Sequence, residues 1–192
     1  MNETQVMMEL RDPHRVLLPA YVAALQAGWS PDTTRDVSRG QLAAIAADPD
    51  GFLASLSRTA PSPRTLPDGR QVEWLPGKNF WMWVEKPQGG SFCGSINLRY
   101  QIGTEALPPH VSGHVGYAVV PWKQRQGHAT RALHLLLPVA RAAGLSRVLV
   151  TCDDDNAGSR RVIEKNGGIP AGWVPHPDRP GIAKLQFWVA TG

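Results

Sequence analysis

Residues 113–152, GHVGYAVVPWKQRQGHATRALHLLLPVARAAGLSRVLVTC, constrain this chain most, because they read in succession as strand, glycine-containing loop, helix and strand. His114 to Val120 is rich in β-branched and aromatic residues and stops at a proline, which is strand chemistry. From Ala129, the residues Ala132, Leu133, Leu136, Ala140 and Ala143 recur at helical spacing, and Gly144 closes the run. Pro138 lies inside this helix and is expected to kink or divide it, since proline lacks an amide proton and crowds the preceding turn. RVLVTC, residues 147–152, is nearly continuous in apolar residues, the pattern of a strand buried on both faces.

The remaining segments arrange themselves around this unit. VMMEL, residues 6–10, suits a first strand, and PHRVLLPAYVAALQAG starts a helix at Pro13 with Gly28 as its stop. A second helical region runs from Gln41 to about Ser57 and breaks near Asp48-Pro49-Asp50. Thr59 to Gly77 is rich in proline and glycine and reads as loop. Asn79 to Lys86 and Ser91 to Gln101 are strands joined by the short PQGG linker, hence an antiparallel hairpin. NAGSRRVIEKNGG is a further helix, and a strand pair at Ile169 to Val174 and Ile182 to Ala190 completes the order. Strand, helices, three strands, helix, strand, helix and two strands imply an α+β domain with a central mixed sheet. At 192 residues the chain suits a single domain, 1–192.

Composition narrows the function classes. The net charge is +4, but the Lys and Arg residues are scattered, so nucleic acid is not an expected partner. Cys93 and Cys152 are too few for a disulfide framework and form no CxxC pair, which suits a reducing, cytoplasmic setting. No apolar stretch has the length of a membrane span, so no membrane partner is expected. Asp153, Asp154 and Asp155 lack calcium-loop spacing and precede a helix, where turn and capping chemistry accounts for them; no metal is expected.

The junction QRQGHAT, residues 124–130, carries the chemistry. A helix start leaves backbone N–H groups unpaired at the positive end of the helix dipole, and so can hold an anion. Gly127 has no side chain to keep a phosphate away from that backbone, and Arg125 adds a planar, permanent cation. The P-loop ending GK[ST] and the GxGxxG fingerprint are both absent, which excludes the common nucleotide-binding loops.

QRQGHA resembles Q/R-x-x-G-x-G/A, the pyrophosphate-binding signature of the GNAT superfamily of acyl-CoA-dependent N-acyltransferases, and it follows a strand ending in VVP at 119–121. Asn156 and Ser159, followed by glycine, resemble that family's later N-x-x-S block. The clearest resemblance spans 91–168. It implies a GNAT-like central mixed, mostly antiparallel sheet flanked by helices on both faces. It further implies that acetyl-CoA is the co-substrate and that a small-molecule or peptide amine is the acceptor, with a homodimer as the further partner expectation. Backbone groups of Val119 and Val120 would pair with the pantetheine arm. Gln124, Arg125, Gln126, Gly127, His128, Ala129 and Thr130 would cradle the pyrophosphate through their amides, and Asn156 and Ser159 would sit near the pantetheine or the reacting end. Helix capping is the alternative role for both.

Acyl transfer to an alkylamine needs a proton acceptor at neutral pH. The family's glutamate on the strand before the loop corresponds most closely to His114, and Glu105 is the other candidate base. Where many members carry a tyrosine as general acid, this chain has Ile163, so either Tyr117 or Cys152 donates the proton or water protonates the leaving thiolate. Core packing is the alternative for His114 and Tyr117. Trp74, Trp81 and Trp83 are candidates to line an acceptor pocket, with Arg99 meeting an acidic group, although strand alternation puts at least one of Trp81 and Trp83 in the core. The expected function is acetyl-CoA-dependent N-acetylation of a primary amine in a ternary complex. The alternative is a catalytically weak acyl-CoA sensor.

Overall fold

The computed structural model describes residues 8–66, 69–85, 90–176 and 179–192. Val6 and Met7 of the expected first strand, Lys86, and residues 87–89 of the hairpin linker lie outside them. An eight-stranded sheet is built from β1 (Met8–Arg11), β2 (Ser57–Arg58), β5 (Gly77–Val84), β6 (Ser91–Arg99), β7 (Val115–Val119), β8 (Arg147–Asp153), β9 (Ile169–Pro175) and β10 (Ala183–Ala190). Its order is β1-β5-β6-β7-β8-β10-β9, with β2 beside β1 on the outer edge of β5. Every pairing is antiparallel except β7 with β8. This is the mixed, mostly antiparallel sheet expected of the chain.

Strand alternation divides the hydrophobic residues between two cores. Phe80, Met82, Ile96, Leu98, Val148, Val150 and Phe187 point to one face, where they meet Ala132, Leu133, Leu136 and Ala140 of α4 (His128–Ala142) and Ile163 of α5 (Ala157–Lys165). Trp81, Trp83, Phe92 and Ala118 point to the other, under Tyr21 and Leu25 of α1 (Leu18–Gln26), Ile45 of α2 (Ser38–Ala47) and Phe52 of α3 (Pro49–Ser55). Tyr21 stacks on Trp81 at 4.7 Å between ring centroids, and Trp29 and Phe92 meet it edge-on. Helices therefore flank the sheet on both faces.

Four sequence expectations change. Thr59 to Gly77 is not simply loop: β3 (Ser62–Thr65) and β4 (Gln71–Trp74) pair as a separate antiparallel hairpin. Pro138 does not divide α4, because it and His134, whose carbonyl loses its amide partner, both lie on the exposed side where water can compensate. The first helix begins at Leu18 rather than Pro13, after a turn in which the Leu17 and Leu18 amides donate to the His14 carbonyl. In β8 only Val148, Val150 and Cys152 are buried; Leu149 and Thr151 are part-exposed, since α1 to α3 cover the β5–β7 half of the second face.

Candidate functional site

The parallel pair β7–β8 is joined at a single register position, Val115 with Val150. His114 reinforces it twice: its own N–H donates to the Leu149 carbonyl at 2.8 Å, and its Nδ1 accepts the Leu149 N–H at 2.9 Å. Beyond this point the strands part. The Val120 N–H donates to Cys93 on the β6 side, so by alternation Gly116 and Ala118 also face β6, while the backbones of Tyr117 and Val119 face the gap. The Val119 carbonyl accepts Gln124 Nε2 at 3.3 Å and has no strand partner across the gap. Val120 has both backbone groups engaged, its carbonyl accepting from the Lys123 N–H, so the open edge belongs to Tyr117 and Val119 rather than to Val119 and Val120.

The gap leads to the loop before α4. Arg125 takes a left-handed φ of 62° and Gly127 one of 81°. Such alternation turns consecutive amides toward one concavity. The first amide to bond back is Arg131 N–H, to Gly127; among the described residues the amides from Arg125 to Thr130 have no protein acceptor. A Cβ on Gly127 would meet nothing within 4 Å, which places the open side of the cradle at that residue. The Gln124 amide is already used, donating to Pro121, and its side chain instead ties the loop to the edge of β7. His128 has a buried Nε2 without a partner among the described residues, and burial, aided by nearby Lys123, lowers its pKa.

Tyr117 projects to the α4/α5 side, where its hydroxyl lies 2.7 Å from Ser159 Oγ. Burial pushes its pKa up to about 12, so the phenol stays protonated at neutral pH. Asn156 caps α5, accepting the Ser159 N–H at 2.9 Å, so the capping role anticipated for it is real. The neighbouring Cys152 thiol is buried, and desolvation followed by the Asp153 charge raises its pKa. Ile163 is wholly buried in the first core.

The two candidate bases occupy different surroundings. His114 is 0% exposed, and desolvation, with a smaller push from Arg99, lowers its pKa to about 4. The ring is therefore neutral; because Nδ1 accepts from Leu149, the proton sits on Nε2, which has no partner among the described residues. Glu105 stands beside the start of β8, where the Ser146 hydroxyl bonds it and Arg147 Nε lies 2.8 Å away, and both hold its carboxyl below the usual range. Arg147 lies on the far side of the β7–β8 bridge from the cradle, so the structure does not bring Glu105 and the loop together.

On the second face, Trp81 and Trp83 are both core, at 1% and 7% exposure, packed under the helices rather than open to a ligand. Trp74 lies on the β3–β4 hairpin, between the guanidinium groups of Arg58 and Arg64 at 3.8 and 4.7 Å. The helical cover ends at the row Trp81, Ser95, Ala118; the next row on this face, Asn79, Asn97, Gly116, and then Arg99 lie past it. Arg99 donates through Nε to the Gly113 carbonyl at 2.8 Å and makes no salt bridge among the described residues. The sequence named Arg99 but not Gly116 and Asn97, whose adjacency is a matter of strand register alone.

The three acids ahead of α5 are spoken for. Asp153 accepts Lys184 Nζ at 2.9 Å and Arg179 at 2.9 Å, and these cations outweigh burial to lower its pKa. Asp155 pairs with Arg179 at 2.6 Å, and Asp154 accepts the Ala183 N–H. Among the described residues no three His, Cys, Asp or Glu side chains converge as metal ligands, and no helix is long and apolar enough to cross a membrane.

Comparison with known proteins agrees with this architecture. No curated protein sequence matches the chain. Among solved structures, it is similar to Mycobacterium smegmatis RimJ in complex with a CoA disulfide (20% identity, TM-score 0.63, covering 95% of this chain and 81% of that one). It is also similar to RimL, a ribosomal L7/L12 alpha-N-protein acetyltransferase in complex with CoA (15%, TM-score 0.61, 98% and 96%). A third is a single-residue mutant of the spermidine N-acetyltransferase SpeG from Vibrio cholerae (10%, TM-score 0.59, 97% and 95%). At these identities the likeness is one of fold. The family model described as acetyltransferase (GNAT) domain matches residues 33–169, more than half of the sequence, and the chain belongs to the GNAT family of acetyltransferases.

Proposed function

We propose that the chain, as a single domain spanning 1–192, is an acetyl-CoA-dependent N-acetyltransferase that acts on a primary amine by direct attack in a ternary complex. The observation that carries this reading is the continuity of two backbone surfaces without strand or helix partners among the described residues, the edge of β7 at Tyr117 and Val119 and the amides from Arg125 to Thr130. An extended amide-bearing arm ending in a pyrophosphate suits both at once: strand-like hydrogen bonds along the edge, then charge-assisted bonds at a helix start. Acetyl-CoA supplies a thioester there. Solved structures of two similar proteins hold CoA species, which supports the same donor here.

During transfer the acceptor nitrogen forms a C–N bond as the C–S bond breaks; one proton leaves the nitrogen and one reaches the departing sulfur. Tyr117 is the proton donor we assign, because its hydroxyl remains protonated and Ser159 orients it. His114 is better suited to holding the strand junction than to serving as base, since its Nδ1 lone pair is engaged and its Nε2 carries hydrogen. Glu105 is committed to Ser146 and Arg147. Neither candidate base is free as it stands, and proton removal through water in the open gap accounts for the amine's deprotonation. Titration with CoA and acetyl-CoA, followed by thiol release across chemically diverse amines, tests the reading. Saturable acetyl-CoA binding with turnover on at least one amine is expected; binding with none would establish a sensor, and no binding would overturn the cradle.

A further inference from the structure

We propose that the acceptor carries a carboxylate a few bonds from its reacting amine, and that Arg99, with Asn97 beside it, receives that carboxylate. The inference rests on the acetyl-transfer reading above and names the acceptor class within it. Arg99 lies part-buried on the second face of the sheet, where its one protein acceptor among the described residues, the Gly113 carbonyl, is taken by Nε. Its two terminal nitrogens have no salt-bridge partner among the described residues; Asp32, on the loop between α1 and α2, acts on it only at longer range. Burial lowers its pKa against a weaker opposing pull from Asp32. By contrast Lys184, the most buried lysine, is answered by Asp153.

The surrounding groups leave this charge open rather than balanced. His114 is neutral, and Glu105 is held by Ser146 and Arg147. Gly116 leaves the space: a Cβ there would stand 3.2 Å from Arg99 Nη2 and 3.2 Å from Asn97 Nδ2, so both donors lie over this glycine. Gly116 is also the chain neighbour of Tyr117, whose backbone borders the gap, so Arg99 and Asn97 stand beside that gap on the second face of the sheet while the Tyr117 hydroxyl stands on the first. An unpaired guanidinium fork matches a carboxylate in two parallel hydrogen bonds. The same uncompensated charge repels a polycationic acceptor, which separates an acidic amine from a polyamine on electrostatic grounds.

The test is a set of paired acceptors with identical amines, one member bearing a carboxylate and the other a carboxamide: free amino acids against their amides, and peptides beginning Asp or Glu against those beginning Asn or Gln. We expect at least a tenfold higher kcat/KM for the carboxylate members in one of these series, expressed mainly in KM. Arg99→Gln should bring the ratio close to one, and Arg99→Lys should keep an intermediate preference with unchanged CoA affinity. Should Arg99→Gln fail to fold, the wild-type ratio and Arg99→Lys decide the matter. Equal kcat/KM within every pair, or a preference that survives Arg99→Gln, overturns the assignment while leaving acetyl transfer standing. Absence of thiol release with every amine overturns the underlying reading instead.

Discussion

Replacing His114 with asparagine should flatten the acid limb of the protein's stability curve. The wild-type ring is buried and neutral, with a pKa near 4 against an ordinary value of 6.5. Between those two values the unfolded chain binds a proton that the folded chain refuses. The stability is therefore complete above about pH 6.5 and is lost as the pH falls through the window toward 4. The whole gap corresponds to roughly 3 kcal/mol, of which about 2 kcal/mol is gone by pH 5. Asparagine offers an oxygen for the Leu149 N–H in place of Nδ1 but does not titrate, so its cost is a lost ring and stays constant with pH. Urea unfolding of both proteins between pH 7 and pH 4.5 measures the difference directly, because the carboxylates common to both cancel. The variant should start less stable at pH 7 and close most of the gap by pH 5. A difference that stays constant across the range would refute the buried neutral ring. A loss of activity greater than about a hundredfold with fold and CoA affinity intact would refute the argument from the engaged lone pair and restore His114 as the base.

Three further outcomes follow from the same geometry. Gly127→Trp should lower Tm by only a few degrees, since a Cβ there meets nothing and the left-handed φ costs about 1–2 kcal/mol; its CoA Kd, read by calorimetry, should rise at least a hundredfold by obstructing the amides from Arg125 to Thr130, and an unchanged Kd would contradict the cradle. Tyr117→Phe should reduce kcat by roughly a hundredfold or more while leaving CoA binding in place and costing about 1 kcal/mol of stability for the lost contact with Ser159; full kcat would remove Tyr117 as proton donor. Asp153→Ala should destabilise by about 3–5 kcal/mol, because it strands the buried Lys184. Lys184→Met should cost less, and equal losses in chemical denaturation would count against a desolvated pair.

The elements with strong periodicity were legible in the sequence: β5 to β7, α4, β8 and α5 all fall close to their expected ranges. The β3–β4 hairpin was not, because Pro61, Pro63 and Gly69 lend the segment a loop's composition and each strand is only four residues long. Trp81 and Trp83 suggested a pocket, yet residues two apart share a face, and α1 covers that face. At the site, the strand-to-helix junction with its open amides from Arg125 to Thr130 was legible because it follows from a local motif, whereas the use of the Gln124 amide by Pro121 was not. That Val120 turns its backbone to β6 while Tyr117 faces the gap was not legible, because the edge each faces depends on pairing with β6 at Cys93. Arg99 was visible as a residue, but its lack of a counter-ion emerges only once distant strands are aligned.

The single bridge between β7 and β8 also divides the sheet's endurance against solvent. Amides of β6 paired to β5 and β7 on both sides, and those of β10 held between β8 and β9, should form two blocks of slow hydrogen exchange. Between them runs a seam, Tyr117 and Val119, where the backbone has no partner from the neighbouring strand. A ligand lying in that seam would act as an extra strand, joining two protected blocks into one. Slowed exchange at these two amides, in the middle of the molecule, would record its arrival before any product is made.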